Sequence, residues 1–184
     1  MLLLSSKFKL IRCFFWLLLI HITASQANAG PSEYELKAAF LHNLSNFITW
    51  PPKAFLSDDA PFILCVLGTD PFGDNLEAIT TNQRVAGQHA IQISKITNEI
   101  EAKDCHLVFI SSSEQNKIAK IVNFLKNFHI LTVGDTEDFI DQGGMIMFMT
   151  VEGKIKLAIS PERIIASQLK ASAQLLKIAK IINK

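Results

Sequence analysis

The sequence predicts an α/β fold: one compact domain with a largely parallel central sheet flanked by helices, a β-hairpin and a long C-terminal helix. Three observations carry this. Apolar runs at 62–67 (FILCVL), 106–111 (HLVFIS) and, shorter, 129–133 (HILTV) are continuous rather than alternating, as in strands covered on both faces. Helical patterns follow the first two runs, at 74–79 and 114–128, and strand–helix alternation implies parallel pairing. Further on, MIMFMTV and KIKLAIS flank Glu152-Gly153, a hairpin signal.

In chain order, Lys7, Lys9 and Arg12 precede the apolar run CFFWLLLI at 13–20 and the small-x-small triplet Ala27-Asn28-Ala29. This reads as a signal peptide over 1–29, removed on export to the periplasm. The run is too short to span a bilayer. Residues 30–184 remain as the folded domain, a length that buries roughly 70% of its unfolded surface. Of the 18 Lys and Arg, 15 stay against 17 acids, so the exported chain carries −2. Nothing in that balance points to nucleic acid or an anionic membrane. Cys13 leaves with the signal, and the two remaining thiols, Cys65 and Cys105, are expected to pair in an oxidising compartment.

Ser32-Glu33-Tyr34-Glu35 has capping-box spacing. Behind it Leu36, Phe40, Leu41, Leu44, Phe47 and Ile48 recur at helical spacing, until Trp50-Pro51-Pro52 ends the helix. Lys37 falls inside the apolar arc. It either snorkels past the core edge or meets a partner. Residues 84–96 (RVAGQHAIQISKI) partly alternate and read as a strand with a turn at Gly87. Pro161 opens the last helical region. Over 168–184, Lys170, Gln174, Lys177, Lys180 and Lys184 share a narrow arc of the expected helix, and the rest is apolar or small. So wide an apolar arc is either clamped on the sheet or reserved for another chain.

Known catalytic constellations find little here. Gly68-Thr69-Asp70-Pro71-Phe72-Gly73 has the glycine spacing of a phosphate loop, but Asp74-Asn75 stand where Lys-Ser/Thr must follow. The plainer reading makes Asp70 the cap of the next helix, with Pro71 at its first position. There is no G-x-S-x-G or H-E-x-x-H, and His42, His89, His106 and His129 lack ligand spacing. No enzyme, metal or cofactor is therefore expected. Small residues and acids do follow the buried runs: Gly68 and Asp70, Ser113 and Glu114, Gly134 and Asp135. If those ends cluster, Asp70, Ser113, Glu114 and Asp135 would line a ligand crevice for a polar or cationic group. Otherwise they are ordinary caps, with Ser113 at a helix N-terminus.

EYELKAAFLHNLSNFITWPPKAF, FILCVLGTDPFGDNL, DCHLVFIS, GGMIMFMTVEGKIKLAIS and QLKASAQLLKIAK together resemble the YfiR-type periplasmic regulators. The most specific pieces are Phe47, Trp50 and Pro51, the Asp-Pro-Phe-Gly turn and the Gly-Gly hairpin. The resemblance implies a compact α/β domain, often dimeric, that is not an enzyme. It would repress an inner-membrane diguanylate cyclase by binding its periplasmic sensor domain, and so control cyclic-di-GMP. An OmpA-like outer-membrane lipoprotein would capture it and relieve the repression. The family's shared disulfide would fall on Cys65 and Cys105. Some members carry a second pair near the hairpin, but residues 143–153 contain no cysteine. Partner contacts are expected from Trp50, Pro51 and Phe55 and from Leu169, Leu176 and Ile178, Trp50 being a core residue if not an anchor. The competing reading is a small-molecule sensor that passes its ligand state to a partner.

Overall fold

A computed structural model of the protein describes residues 31–85 and 89–183. The proposed signal peptide, the turn at Gly87 and Lys184 lie outside them. Helix α1 (Glu33–Phe47) begins with the capping box that its sequence predicts. Ser32 Oγ accepts from the Glu35 N–H at 3.2 Å, and the Glu35 carboxylate accepts from the Ser32 N–H at 3.3 Å. Its apolar stripe of Ala38, Leu41 and Leu44 is buried, and the chain leaves it through the short strand β1 (Ile48–Thr49).

Next come β2 (Phe62–Leu67), α2 (Asn75–Thr80), β3 (Arg84–Val85), β4 (His89–Ile96) and β5 (Leu107–Ile110). A 3-10 turn (Ser112–Lys117) leads into α3 (Ile118–Leu125), so the helical pattern at 114–128 is only partly α-helix. Then follow β6 (Leu131–Gly134) and the hairpin β7 (Ile146–Val151) and β8 (Lys154–Ile159). Glu152 and Gly153 turn the hairpin with φ of 51° and 71°, the paired positive values of a type I′ turn.

The main sheet has the order β10-β8-β7-β6-β5-β2-β4-β3, with β10 (Lys180–Ile181) at one edge. Strands β4, β2, β5, β6 and β7 pair in parallel, while β3 and β8 run antiparallel to their neighbours β4 and β7. The continuous apolar runs follow from this layering. Leu64, Val66, Leu107 and Phe109 face α1, while Cys65, Leu67, Val108 and Ile110 face α3. Successive residues of a strand point to opposite faces, so both must be apolar.

The long C-terminal helix expected over 168–184 is not formed. The chain instead makes α4 (Pro161–Ala166), β9 (Lys170–Ala171), the short α5 (Ala173–Ile178) and β10. Gln168 adopts a φ of 61° and turns the chain out of α4. Strand β9 then pairs with β1, Ser172 caps α5, and β10 pairs with β8. The backbone groups along one edge each of β1 and β8 gain partners this way, which one continuous helix would leave unpaired.

Two further expectations are corrected. Asp70 does not cap α2, whose N-cap position is Asp74, and Pro71 is not at its first turn. The Asp70 carboxylate accepts from the Phe72 N–H at 2.8 Å, closing a local turn before the helix begins. Nor is Ser113 an N-cap: Ser111 holds that position.

Candidate functional site

The carboxyl end of the sheet is the natural place to look for a site in an open α/β fold. Leu67 is in register with Ile110, and Ile110 with Gly134, so the loops after β2, β5 and β6 start level. Between β2 and β5 the strand order reverses: β2 leads through β3 to β4 on one side, and β5 begins the other side. A crevice is expected at such a switch, yet this one is closed. The Thr69 N–H donates to Ser113 Oγ at 2.9 Å. Gly68 has a φ of 92°, and a Cβ there would lie 2.5 Å from Ser113 Oγ. Only glycine meets both demands. Asp70 is engaged by Lys95 at 2.8 Å and Glu114 by Lys117 at 2.9 Å. Three of the four residues expected to line a crevice thus already have partners: that of Ser113 is in the loop after β2, that of Asp70 on β4, and that of Glu114 within its own 3-10 turn.

The fourth, Asp135, stands elsewhere. Strand β7 pairs with β6 only through Val133↔Ile146 and Gly134↔Met147, so the hairpin continues past the end of β6. The first turns of α1 pack under this overhang, where Thr150 Oγ1 donates to Glu33 Oε1 at 3.3 Å. Lys37, whose side chain is 4% exposed, donates to Asp135 Oδ2 at 2.7 Å and meets Glu33 Oε1 at the same distance. It does not snorkel to the surface; it is an internal cation. Burial opposes its charge, but the bonds to Asp135 and Glu33 win and hold its pKa above the ordinary lysine value. The Lys37 bond in turn holds the Glu33 carboxyl below its usual range. Tyr34 donates its phenol to Asp135 Oδ2 at 3.0 Å, and burial and the Asp135 charge push its pKa up. A cavity of about 450 Å³ opens here between Asp135, Lys37 and the β7 side chains Met147 and Met149. Sequence reading missed Tyr34 and the methionines. Lys37, misplaced on an apolar arc, was the visible signal.

The residues expected to touch a partner are dispersed. Trp50 is 6% exposed, packs edge-on against Phe62 at 4.9 Å and donates its indole N–H to the His106 carbonyl at 3.1 Å. Phe55 is half-buried and stacked between His89 at 4.0 Å and His106 at 4.4 Å. Pro51 is also half-buried. His106 accepts from the Ile63 N–H at Nδ1 and donates from Nε2 to the Ala54 carbonyl. Burial, partly opposed by the Ala54 bond, pushes its pKa down to about 4, so the ring is neutral. At the other site, Leu169 is in the core and Leu176 packs against it. Ile178 is 61% exposed and, with Met149, Val151, Lys156 and Lys180, lines a shallow groove beside β10. Ile181, also exposed, lies on β10 itself.

Cys65 and Cys105 form a disulfide with a Cα–Cα distance of 6.0 Å. Among the described residues no group of three or more His, Cys, Asp and Glu converges on a metal position, and no helix is long and apolar enough to cross a membrane. No curated protein matches the chain. The model of the YfiR/HmsC-like family matches it over residues 34–180, from the first turn of α1 to the start of β10. The overhanging hairpin, the closed switch-point turn and the bridged Cys65 and Cys105 all lie within that span, and the chain belongs to the YfiR/HmsC-like family.

Proposed function

We propose that this protein is an exported regulator that represses an inner-membrane diguanylate cyclase by binding its periplasmic sensor domain. Membership of the YfiR/HmsC-like family over nearly the whole folded region is the observation that carries this reading. An OmpA-like outer-membrane lipoprotein is the proposed antagonist, and self-association into a dimer is part of the same reading. The exposed strip of Val151, Ile178 and Ile181, with Lys156 and Lys180 at its rim, is the surface best suited to a partner. Apolar side chains ringed by polar ones are typical of such contacts.

Loss of the gene is expected to raise cellular cyclic-di-GMP, and tagged protein is expected to retrieve a membrane cyclase from detergent extracts. Unchanged cyclic-di-GMP in every condition of expression defeats the proposal. Two substitutions locate the surface. Ile178→Asp is expected to relieve repression at an unchanged melting temperature. Trp50→Ala is expected to lower stability by about 3–5 kcal/mol, as for other buried aromatics. Lost repression in that variant would therefore say nothing about an interface.

A further inference from the structure

We propose that the cavity under the β7–β8 hairpin is a binding site for a small organic cation, an amine on an apolar body. The inference is independent of the cyclase, because it stands on the geometry around Asp135. The Asp135 side chain is only 5% exposed and forms part of the cavity wall. Both donors that reach it, Lys37 and Tyr34, converge on Oδ2. Its other oxygen, Oδ1, is buried with no protein hydrogen-bond partner. A buried carboxylate oxygen without a donor is an unmet demand, and Asp135 is the one such acid on the wall of this cavity. An ammonium or other N–H donor supplied by a bound molecule meets it.

Charge gives the sign of the ligand. Glu33, Asp135 and Glu137 line the cavity with Lys37, three carboxylates to one ammonium. Lys37 already spends its charge on Glu33 and Asp135. A second cation is therefore attracted and an anion repelled. Shape and softness give the rest of the ligand. Met147, Phe148 and Met149 offer an aromatic ring and two flexible, polarizable thioethers, a surface that adapts to apolar or aromatic bodies. A volume of about 450 Å³ is in the range of small-molecule sites. The hairpin gives such binding a mechanical consequence, because the same strand pair carries Val151 and Lys156 of the groove beside β10.

The test uses phenethylammonium as probe, with phenylacetate as a match in size and opposite in charge. The purified protein is labelled at the methionine methyl groups and titrated by NMR. Phenethylammonium is expected to bind with a Kd of about 1 mM or tighter and to shift Met147 and Met149, leaving the buried Met145 unmoved. Phenylacetate is expected to shift neither. Asp135→Asn is expected to weaken the amine about tenfold. Because that change could unsettle Lys37, Glu137→Lys on the exposed rim serves as the second variant and is expected to weaken it severalfold with an unchanged melting temperature. Equal binding of the two probes, no shift of Met147 and Met149 at saturating amine, or full affinity in Glu137→Lys overturns the proposal.

Discussion

At the carboxyl end of the sheet Lys37 and Asp135 are buried as ions, while at the amino end His106 is buried as a neutral ring. The histidine spends both nitrogens, one accepting from Ile63 and one donating to Ala54, and sits against Phe55 and Phe62. The ring itself has no nitrogen left to offer. The ion pair is tightly held but incomplete, since both donors share one carboxylate oxygen and leave the other bare. A satisfied neutral group has no bond left to offer, whereas a carboxylate with spare acceptor capacity can take a further donor. The same difference separates the two halves of the carboxyl edge. At β2 and β5, Ser113 and Gly68 seal the switch point; past β6 the hairpin overhangs a cavity.

The comparison is most strongly tested at Lys37. Lys37→Met removes the cation and strands Asp135, and is expected to cost about 3–5 kcal/mol in urea unfolding. Adding Asp135→Leu should recover most of that loss, because an apolar pair can replace a buried ion pair. If the single variant is as stable as the parent, the ion pair does not organise the carboxyl end.

Next in size is the disulfide, on the face of the sheet away from α1. Its ends are 40 residues apart, and reduction is expected to cost up to about 4 kcal/mol by freeing that loop in the unfolded chain. Thiol titration of the unfolded, unreduced protein should find no free thiol from Cys65 and Cys105.

Lowering the pH separates the two ends. The folded pKa of His106 lies near 4, below its ordinary 6.5, so the unfolded chain binds the proton more readily. Stability is therefore complete above about pH 6.5 and falls as the pH drops toward 4, by at most about 1.4 kcal/mol per unit. The Glu33 carboxyl is shifted down, so its contribution persists to lower pH and fades only below its ordinary 4.5. His106→Gln should flatten the loss between pH 6.5 and 4.5 and leave the more acidic part in place. A loss in that window that survives the substitution assigns it to another group.

The smallest effect is expected at the sealed switch point. Asp70→Ala removes the carboxylate that accepts from Phe72 and pairs with half-exposed Lys95, and should cost roughly 1 kcal/mol without altering repression. Tight nucleotide binding dependent on Gly68 or Gly73 would instead show that this turn is a phosphate site.

Local patterns in the sequence determined a good deal. Continuous apolar runs announced strands with two covered faces, Ser32 and Glu35 announced the cap of α1, and Glu152-Gly153 announced the hairpin. Each depends on neighbours within a few residues, where spacing and backbone preference act directly. The C-terminal segment misled because its helical spacing is real but weak. Pairing with β1 and β8 satisfies backbone groups of strands far away in sequence, and that outweighs a short helix's propensity. Asp135 was visible as an acid after a buried strand, and Lys37 as a charge on an apolar arc. Their bond spans 98 positions, and no spacing rule reaches that far. Only the folded chain, with the hairpin carried past β6 and α1 laid beneath it, decided that these two charges meet and that a cavity opens beside them, because burial and charge pairing depend on which distant segments share a dry space.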